Sequence, residues 1–363
     1  MPLIYKLAKS NPDIIIIVQK CFHSLSSFFI VYALLTLIQK GLTKYTLVIL
    51  IYFFMSWWNI LGWTITLLSE SLSNSLMFCW IASFIILLKR NDNLSLGFHL
   101  IITIIFSFTR DSWPYILLLF YFLYSFYFYL FYLPFFKKTA LLLFASMVIF
   151  YFQQVSATVG QRYKLPLINN IILRIIPNEN YTKWFVEKGL PQADSLKKNF
   201  NNINANDESK LRLYRLYKDS TYTHFFNWVA TRGKNVYTEF LITHPFYTLF
   251  LEESKSNLSR IFVFNLFYTG KFKSYSILSQ FVFPIFNIVI VLLLLIILSF
   301  KNRNAFYSLP IILFIVFSFN VLLLYNADAM EVERHLYITE IMIQFIGFLC
   351  IFNLMEKINL IKK

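Results

Sequence analysis

Seven side chains in short hydrophilic gaps between long apolar runs are the residues best suited to chemistry. They are Glu70, in Ser69-Glu70-Ser71; the pair Arg110–Asp111; and Asp328, Glu331, Arg334 and His335, in the run Asp328-Ala-Met-Glu331-Val-Glu333-Arg334-His335. A carboxylate can take the proton of a hydroxyl as that hydroxyl attacks an electrophile. A guanidinium or imidazolium can hold a phosphate and steady the charge that grows on it as a bond breaks. If a helix begins at Glu331, then Glu331 and His335 share one face. Each position also has a plainer explanation. Glu70 stands where an acid favours a helix N-terminus, and Asp111 fits an N-cap before Ser112-Trp113-Pro114. The 328–335 run would also serve as a solvated turn. Function is the stronger expectation there, because Arg334-His335 directly precedes an apolar span, where ionisable groups are costly. Gln19, Lys20 and His23 in the first apolar run are expected to be structural, with Lys20 reaching towards the surface. His224 and His244 read as packed or solvated.

The elements that carry these residues are membrane helices. The chain is 58% hydrophobic and 20% aromatic, with mean hydropathy +0.60. Soluble domains average about 45–50% apolar, and many runs here reach the roughly 18 residues a span needs. The pattern predicts about nine spans: Ile14–Ile38, Thr46–Leu68, Leu72–Leu88, Leu94–Phe108, Trp113–Leu133, Thr139–Val159, Ser276–Phe300, Phe306–Tyr325 and Leu336–Met355. The expected fold class is therefore an all-α integral membrane protein, a polytopic helical bundle with one large extracytoplasmic loop region. Lys40, Lys44, Lys89, Arg90, Lys137, Lys138, Lys301, Arg303, Lys357, Lys362 and Lys363 fall in gaps on one side. The positive-inside rule makes that side cytoplasmic, with the C-terminus. The N-terminus, the acid-bearing gaps and residues 160–275 are then extracytoplasmic, in what is expected to be a bacterial inner membrane. An outward N-terminus with Lys6 and Lys9 and no signal peptide raises the expectation that an upstream helix and its loop are missing. The net charge of +15 follows from this sidedness plus a basic loop, and no nucleic-acid motif accompanies it.

Three regions follow: a transmembrane block over 1–159, a loop domain over 160–275 and a second transmembrane block over 276–363. The loop domain holds Pro166, Pro177, Pro191 and the polar run Lys197–Lys210. Leu165–Ile176 is too short to span and is expected to lie at the membrane surface as an amphipathic helix. Asn235–Ile242 and Pro245–Glu253 read as short helices, with Pro245 at a first helical position. Trp184, Phe225, Phe226, Trp228, Phe246 and Tyr247 would pack a small core or rest on headgroups. Cys21, Cys79 and Cys350 all fall in apolar runs, so no disulfide framework is expected. A phosphate-cradling glycine loop, a paired-cysteine site, HExxH and GxSxG are absent.

Taken together, Leu67-Leu-Ser-Glu70-Ser-Leu, Phe108-Thr-Arg110-Asp111, the large loop, Phe240-Leu-Ile-Thr-His244-Pro245 and the 328–335 run resemble the GT-C glycosyltransferases. The resemblance implies a polytopic enzyme that moves a sugar from a polyprenyl-phosphate donor to an extracytoplasmic lipid-linked glycan, polysaccharide or protein. It implies that Arg110, Arg334 and His335 hold the donor phosphate, and that Glu70, Asp111, Asp328 or Glu331 orients or deprotonates the acceptor. A divalent metal is an alternative partner for the phosphate, although no ligand motif marks one. In the family the activating acid usually follows the first helix, in a loop this chain does not show. Rival expectations are a polysaccharide polymerase or ligase, a transporter or flippase of lipid-linked glycans, and a non-enzymatic scaffold.

Overall fold

The computed structural model describes residues 11–37, 42–56, 69–131, 133–200, 216–217, 219–250, 293, 305–327, 338–339, 341–350 and 353. Every regular element among these described residues is a helix. The chain divides into two units. The first is drawn from Met1–Gln153, Phe262–Phe319 and Ile338–Lys363, and the second from Gln154–Ile261 and Asn320–Tyr337.

The first unit is built from α1 (Pro12–Leu35), α2 (Leu42–Met55), α3 (Ser69–Arg90), α4 (Asn93–Ser107), α5 (Trp113–Phe131) and most of α6 (Leu133–Val159). The early residues of α13 (Ala305–Ala327) and the apolar helix Ile341–Cys350 also belong to it. Five described helices are long and apolar enough to cross a membrane: Pro12–Leu35, Glu70–Arg90, Trp113–Phe131, Phe135–Val159 and Ser308–Ala327. Shorter apolar helices occupy Lys44–Met55, Asn93–Ser107 and Ile341–Cys350. The expected span Ser276–Phe300 lies outside the described residues, apart from Leu293.

Packing in this unit inverts the pattern of a soluble protein. The helix with the most polar residues near its start, α3, is the most enclosed, with Ser71, Ser73, Asn74, Ser75 and Ser83 buried. The outward faces carry large apolar side chains, including Phe28 at 66% and Phe144 at 64% exposure. Lipid makes that surface favourable, and polar side chains turn inward to find partners. Aromatic rings fill the interior. Trp80 of α3 stacks on Phe106 of α4 (5.6 Å) and meets Phe120 of α5 edge-on (4.6 Å), while Phe78 meets Phe345 at 5.3 Å.

A closed polar network ties α3, α4 and α5 together at mid-length. Ser83 Oγ lies 2.7 Å from His99 Nδ1, and Tyr121 Oη lies 2.8 Å from His99 Nε2. Trp80 Nε1 donates to Tyr121 Oη at 2.8 Å, and Thr103 Oγ1 sits 2.9 Å from the same oxygen. In one consistent assignment His99 Nδ1–H donates to Ser83, Ser83 donates to the Trp80 carbonyl, and Tyr121 donates to Nε2. Both ring nitrogens of this fully buried histidine are thereby used. His23 of α1 is likewise structural, donating through Nε2 to the Met55 carbonyl at 2.9 Å, with Lys20 exposed nearby in sequence.

The second unit is a small aromatic and aliphatic core. It contains α7 (Lys164–Asn170) with a π-helical turn Ile171–Ile175, α8 (Glu179–Glu187), α9 (Ala193–Phe200) and α10 (Thr223–Trp228) with a π turn Val229–Gly233. It also contains α11 (Lys234–Thr243) and α12 (Pro245–Phe250). The stretch expected at the membrane surface is instead the centre of this core: Ile171, Ile172, Ile175 and Ile176 are fully buried and packed with Phe185, Phe225 and Phe240. Its alternating character reflects apolar contacts on most of its circumference, with Arg174 and Asn170 turned to polar partners. Gly233 permits the close approach of α10: a Cβ there would lie 3.1 Å from Leu167 and 3.3 Å from Trp228. All three cysteines of the chain are free.

Candidate functional site

Three of the expected residues come together at one end of the first unit. Glu70 sits in the first turn of α3 and is only 2% exposed. One turn on, Ser73 Oγ is 3.0 Å from Thr109 Oγ1 and accepts from Trp113 Nε1 at 2.6 Å. These bonds hold the start of α3 against the α4–α5 turn that carries Arg110 and Asp111. Arg110 is half-buried and Asp111 is exposed. Gln153, near the end of α6, donates to Asp111 Oδ1 at 2.6 Å. Asp111 thereby links that turn to α6.

The opposite end is basic. Lys89 and Arg90 close α3, and Arg90 pairs loosely with Asp92 at 3.5 Å. Lys138 of α6 donates to the Asn91 side chain at 2.8 Å and also to its carbonyl. Asp92 caps α4 by accepting from Ser95 N, which together with the cations nearby holds its carboxyl below the usual range. Glu70 and Asp111 thus lie at one end of these helices, and Lys89, Arg90 and Lys138 at the other, where Asp92 is the one described acid among them.

Asp328, Glu331, Arg334 and His335 lie outside the described residues. The helix end that leads to them is described, and it is built with care. The last carbonyls of a helix have no partner within it and carry partial negative charge. In the second unit Arg174 Nη1 donates to the Tyr325 carbonyl and, at 3.1 Å, to Asn170 Oδ1. Its guanidinium lies 3.8 Å from the Tyr325 ring centre. Asn170 Nδ2 donates to the carbonyls of Asn326 (3.1 Å) and Ala327 (3.0 Å), and Tyr237 Oη donates to Asn326 O at 2.9 Å. Asn326 Nδ2 in turn reaches Thr248 O at 3.0 Å. Burial, with the Tyr247 hydroxyl close by, holds the Tyr237 phenol well above its ordinary range, so it remains a donor at neutral pH.

Arg174 is 6% exposed, and no described carboxylate pairs with it. Its charge is answered by the negative end of α13 and by an aromatic face. No sequence motif marks Arg174, Asn170, Tyr237 or Asn326. The signal available was an arginine inside an isoleucine-rich run, which is too costly to leave without a partner.

A second concave feature lies in the same unit. A cleft of about 320 Å³ is lined by Asn178, Asn180, Tyr181, Thr243, His244, Pro245, Phe246 and Tyr247. His244 was expected to be packed or solvated, and it is partly both. It stacks on Phe240 (4.3 Å) and meets Tyr181 and Trp184 edge-on. Of the six aromatics set between core and headgroups, Phe225, Trp228 and Tyr247 are buried in the core, and Trp184 and Phe226 pack against it. Phe246 is 69% exposed. Among the described residues no group of three His, Cys, Asp or Glu side chains could hold a metal ion. No protein-family model matches this chain, and neither a curated protein nor a solved structure matches it.

Proposed function

We propose that the chain is a GT-C-type glycosyltransferase of about nine spans, acting at the extracytoplasmic face on a polyprenyl-phosphate sugar. The observation that carries this is the segregation of charge in an inside-out bundle. Buried Glu70 and the Arg110–Asp111 turn share one end, and Lys89, Arg90 and Lys138 occupy the other. A carboxylate among Glu70, Asp111, Asp328 and Glu331 takes the acceptor hydroxyl's proton as its oxygen attacks the anomeric carbon. The bond from that carbon to the phosphate oxygen breaks, and Arg110, Arg334 and His335 receive the charge left on the lipid phosphate. The aromatic loop domain over 160–275 helps to choose the acceptor. Transport is the weaker alternative, because it calls for ionisable groups lining a path at mid-depth. His99, one of two described histidines buried at mid-helix, has both ring nitrogens engaged by Ser83 and Tyr121, and His23 is bonded through Nε2 to the Met55 carbonyl.

The test uses the full chain in sealed vesicles supplied with radiolabelled polyprenyl-phosphate glucose, mannose or N-acetylglucosamine. Transfer to envelope glycan should occur with one of these donors. It should fall at least ~10²-fold in Arg334→Ala and His335→Ala variants that insert normally, the scale of one lost charge-stabilising group. Unchanged product in both variants, or cysteines at 70, 110 and 334 labelled from opposite leaflets, would refute the proposal.

A further inference from the structure

A lipid-facing stripe on α6 ends at a cluster of cations. Leu141, Phe144, Val148, Tyr151, Val155 and Val159 recur at helical spacing, and all are exposed, Val159 at 79%. An apolar stripe of this kind on a membrane helix faces acyl chains. It stops at a tight elbow. Gly160, Gln161 and Arg162 donate their N–H groups to the carbonyls of Ser156 (2.9 Å), Thr158 (3.1 Å) and Ala157 (3.1 Å), and Gln161 takes φ +50°. A left-handed residue just past a helix end turns the chain aside. Arg162 folds back to Ser156 Oγ at 3.2 Å, and α7 starts at Lys164.

Tyr163, at the elbow, joins two basic segments of the second unit. Its hydroxyl donates to Ala230 O at 3.0 Å, which brings the π turn Val229–Gly233 alongside. Lys234 Nζ stands 5.6 Å from the centre of its ring. Arg162 and Lys164 flank Tyr163 in sequence, and Arg232 and Lys234 follow Ala230. Arg232 and Lys234 are exposed and Lys164 is half-buried. Among the described residues no carboxylate forms an ion pair with any of these three. Like charges drawn together around one ring repel, and an anion placed among them relieves that repulsion. Long cationic side chains at the end of a lipid-facing stripe reach from apolar surface to the level of the phosphates.

We propose that this elbow binds the phosphate of an anionic phospholipid headgroup. The phosphate sits among Lys164, Arg232 and Lys234, and the acyl chains lie along Val155 and Val159. Tyr163 holds the two basic segments together beneath it. The net charge of the lipid sets the preference, because a zwitterionic headgroup brings its own cation to the same place. The inference goes beyond glycosyl transfer and is independent of it, since the lipid is bound and not consumed.

The experiment is native mass spectrometry of the full chain released from mixed micelles. The micelles hold equal amounts of phosphatidylglycerol and phosphatidylcholine with matched acyl chains, and polyprenyl phosphate and inorganic phosphate are titrated separately. Phosphatidylglycerol should be retained over phosphatidylcholine. Lys164→Gln, Arg232→Gln and Lys234→Gln should each weaken its retention about fivefold, the worth of one basic side chain near an anionic surface. The triple variant should lose ~10²-fold. Its fold is checked by far-UV circular dichroism, and the three side chains lie outside the core of the unit. Lys164→Arg combined with Lys234→Arg keeps both charges and should keep the parental preference. Lys198→Gln, at an exposed cation of α9, should leave retention unchanged. Equal retention of the two phospholipids, parental affinity in the triple variant or an equal loss in Lys198→Gln would overturn the inference. So would tighter binding of polyprenyl phosphate or inorganic phosphate than of phosphatidylglycerol.

Discussion

Replacing Arg174 with leucine should destabilise the protein, because the loss at the end of α13 exceeds the relief of removing a buried charge. The guanidinium donates to Tyr325 O and Asn170 Oδ1 and stacks on the Tyr325 ring. Hydrogen bonds to a charged group contribute about 1.5–3 kcal/mol net. A cation at a partly buried helix C-terminus adds up to about 2 kcal/mol. These terms overlap and do not simply add. Against them stands desolvation, which costs several kcal/mol for an ion held in a dry interior. Asn170 and Tyr237 still cap Asn326 and Ala327 in the variant, so Tyr325 O and Asn170 Oδ1 are the two acceptors that lose the guanidinium donor. The net expectation is a loss of about 3 kcal/mol, or roughly 10²-fold in the unfolding equilibrium. Arg174→Lys keeps the charge but loses the planar fork and the stack, and should cost about half as much. The assay is denaturant or SDS unfolding of the purified chain in mixed micelles, followed by far-UV circular dichroism. If Arg174→Leu were as stable as the parent, desolvation would outweigh the cap and the account of this helix end would be wrong.

The polar network at mid-bundle should behave as glue. Tyr121→Phe removes the acceptor of the Trp80 N–H and a partner of both His99 and Thr103, so a loss of about 2 kcal/mol in the same unfolding assay is expected. A change under about 0.5 kcal/mol would show that the three groups find other partners. At the surface of the second unit, Lys197 donates to Glu179 at 2.7 Å, and that bond with the ammonium's charge lowers the Glu179 carboxyl below its ordinary range. A lowered folded-state value means the pair's contribution is complete above the ordinary glutamate value and fades as acid takes the pH down through the lowered one. Carbonyl NMR titration of Glu179 should show that low midpoint, and Lys197→Met should return it towards normal. An unmoved midpoint would remove the lysine as the cause.

Hydropathy alone marked the helices, because a stretch facing lipid must satisfy its backbone internally and be apolar along its length. The observed Pro12–Leu35, Trp113–Phe131 and Ala305–Ala327 lie within a few residues of the expected spans. The spacing of lysines along the gaps also anticipated which ends of α3 to α6 are basic, since alternate gaps in an up-and-down bundle must lie at opposite ends. That logic grouped Glu70 with Arg110 and Asp111.

What the sequence did not reveal is how buried polar atoms find partners. Gln153 reaches Asp111 from 42 positions away, and Asn170 reaches Asn326 across 156. No local pattern encodes such pairings, because they depend on which helix faces meet. Leu165–Ile176 was misread for the same reason: an apolar run with one arginine looks alike on a membrane surface and in a small core. Only the packing of Phe185, Phe225 and Phe240 against it decided the matter. Sequence determined that this chain forms apolar helices, with Glu70 and Asp111 in gaps at one end and Lys89, Arg90 and Lys138 in gaps at the other, because periodicity and charge are properties of the residues themselves. Tertiary structure decided where Arg174, His99 and His244 spend their hydrogen bonds, because a donor's partner is fixed by distance in space rather than by position in the chain.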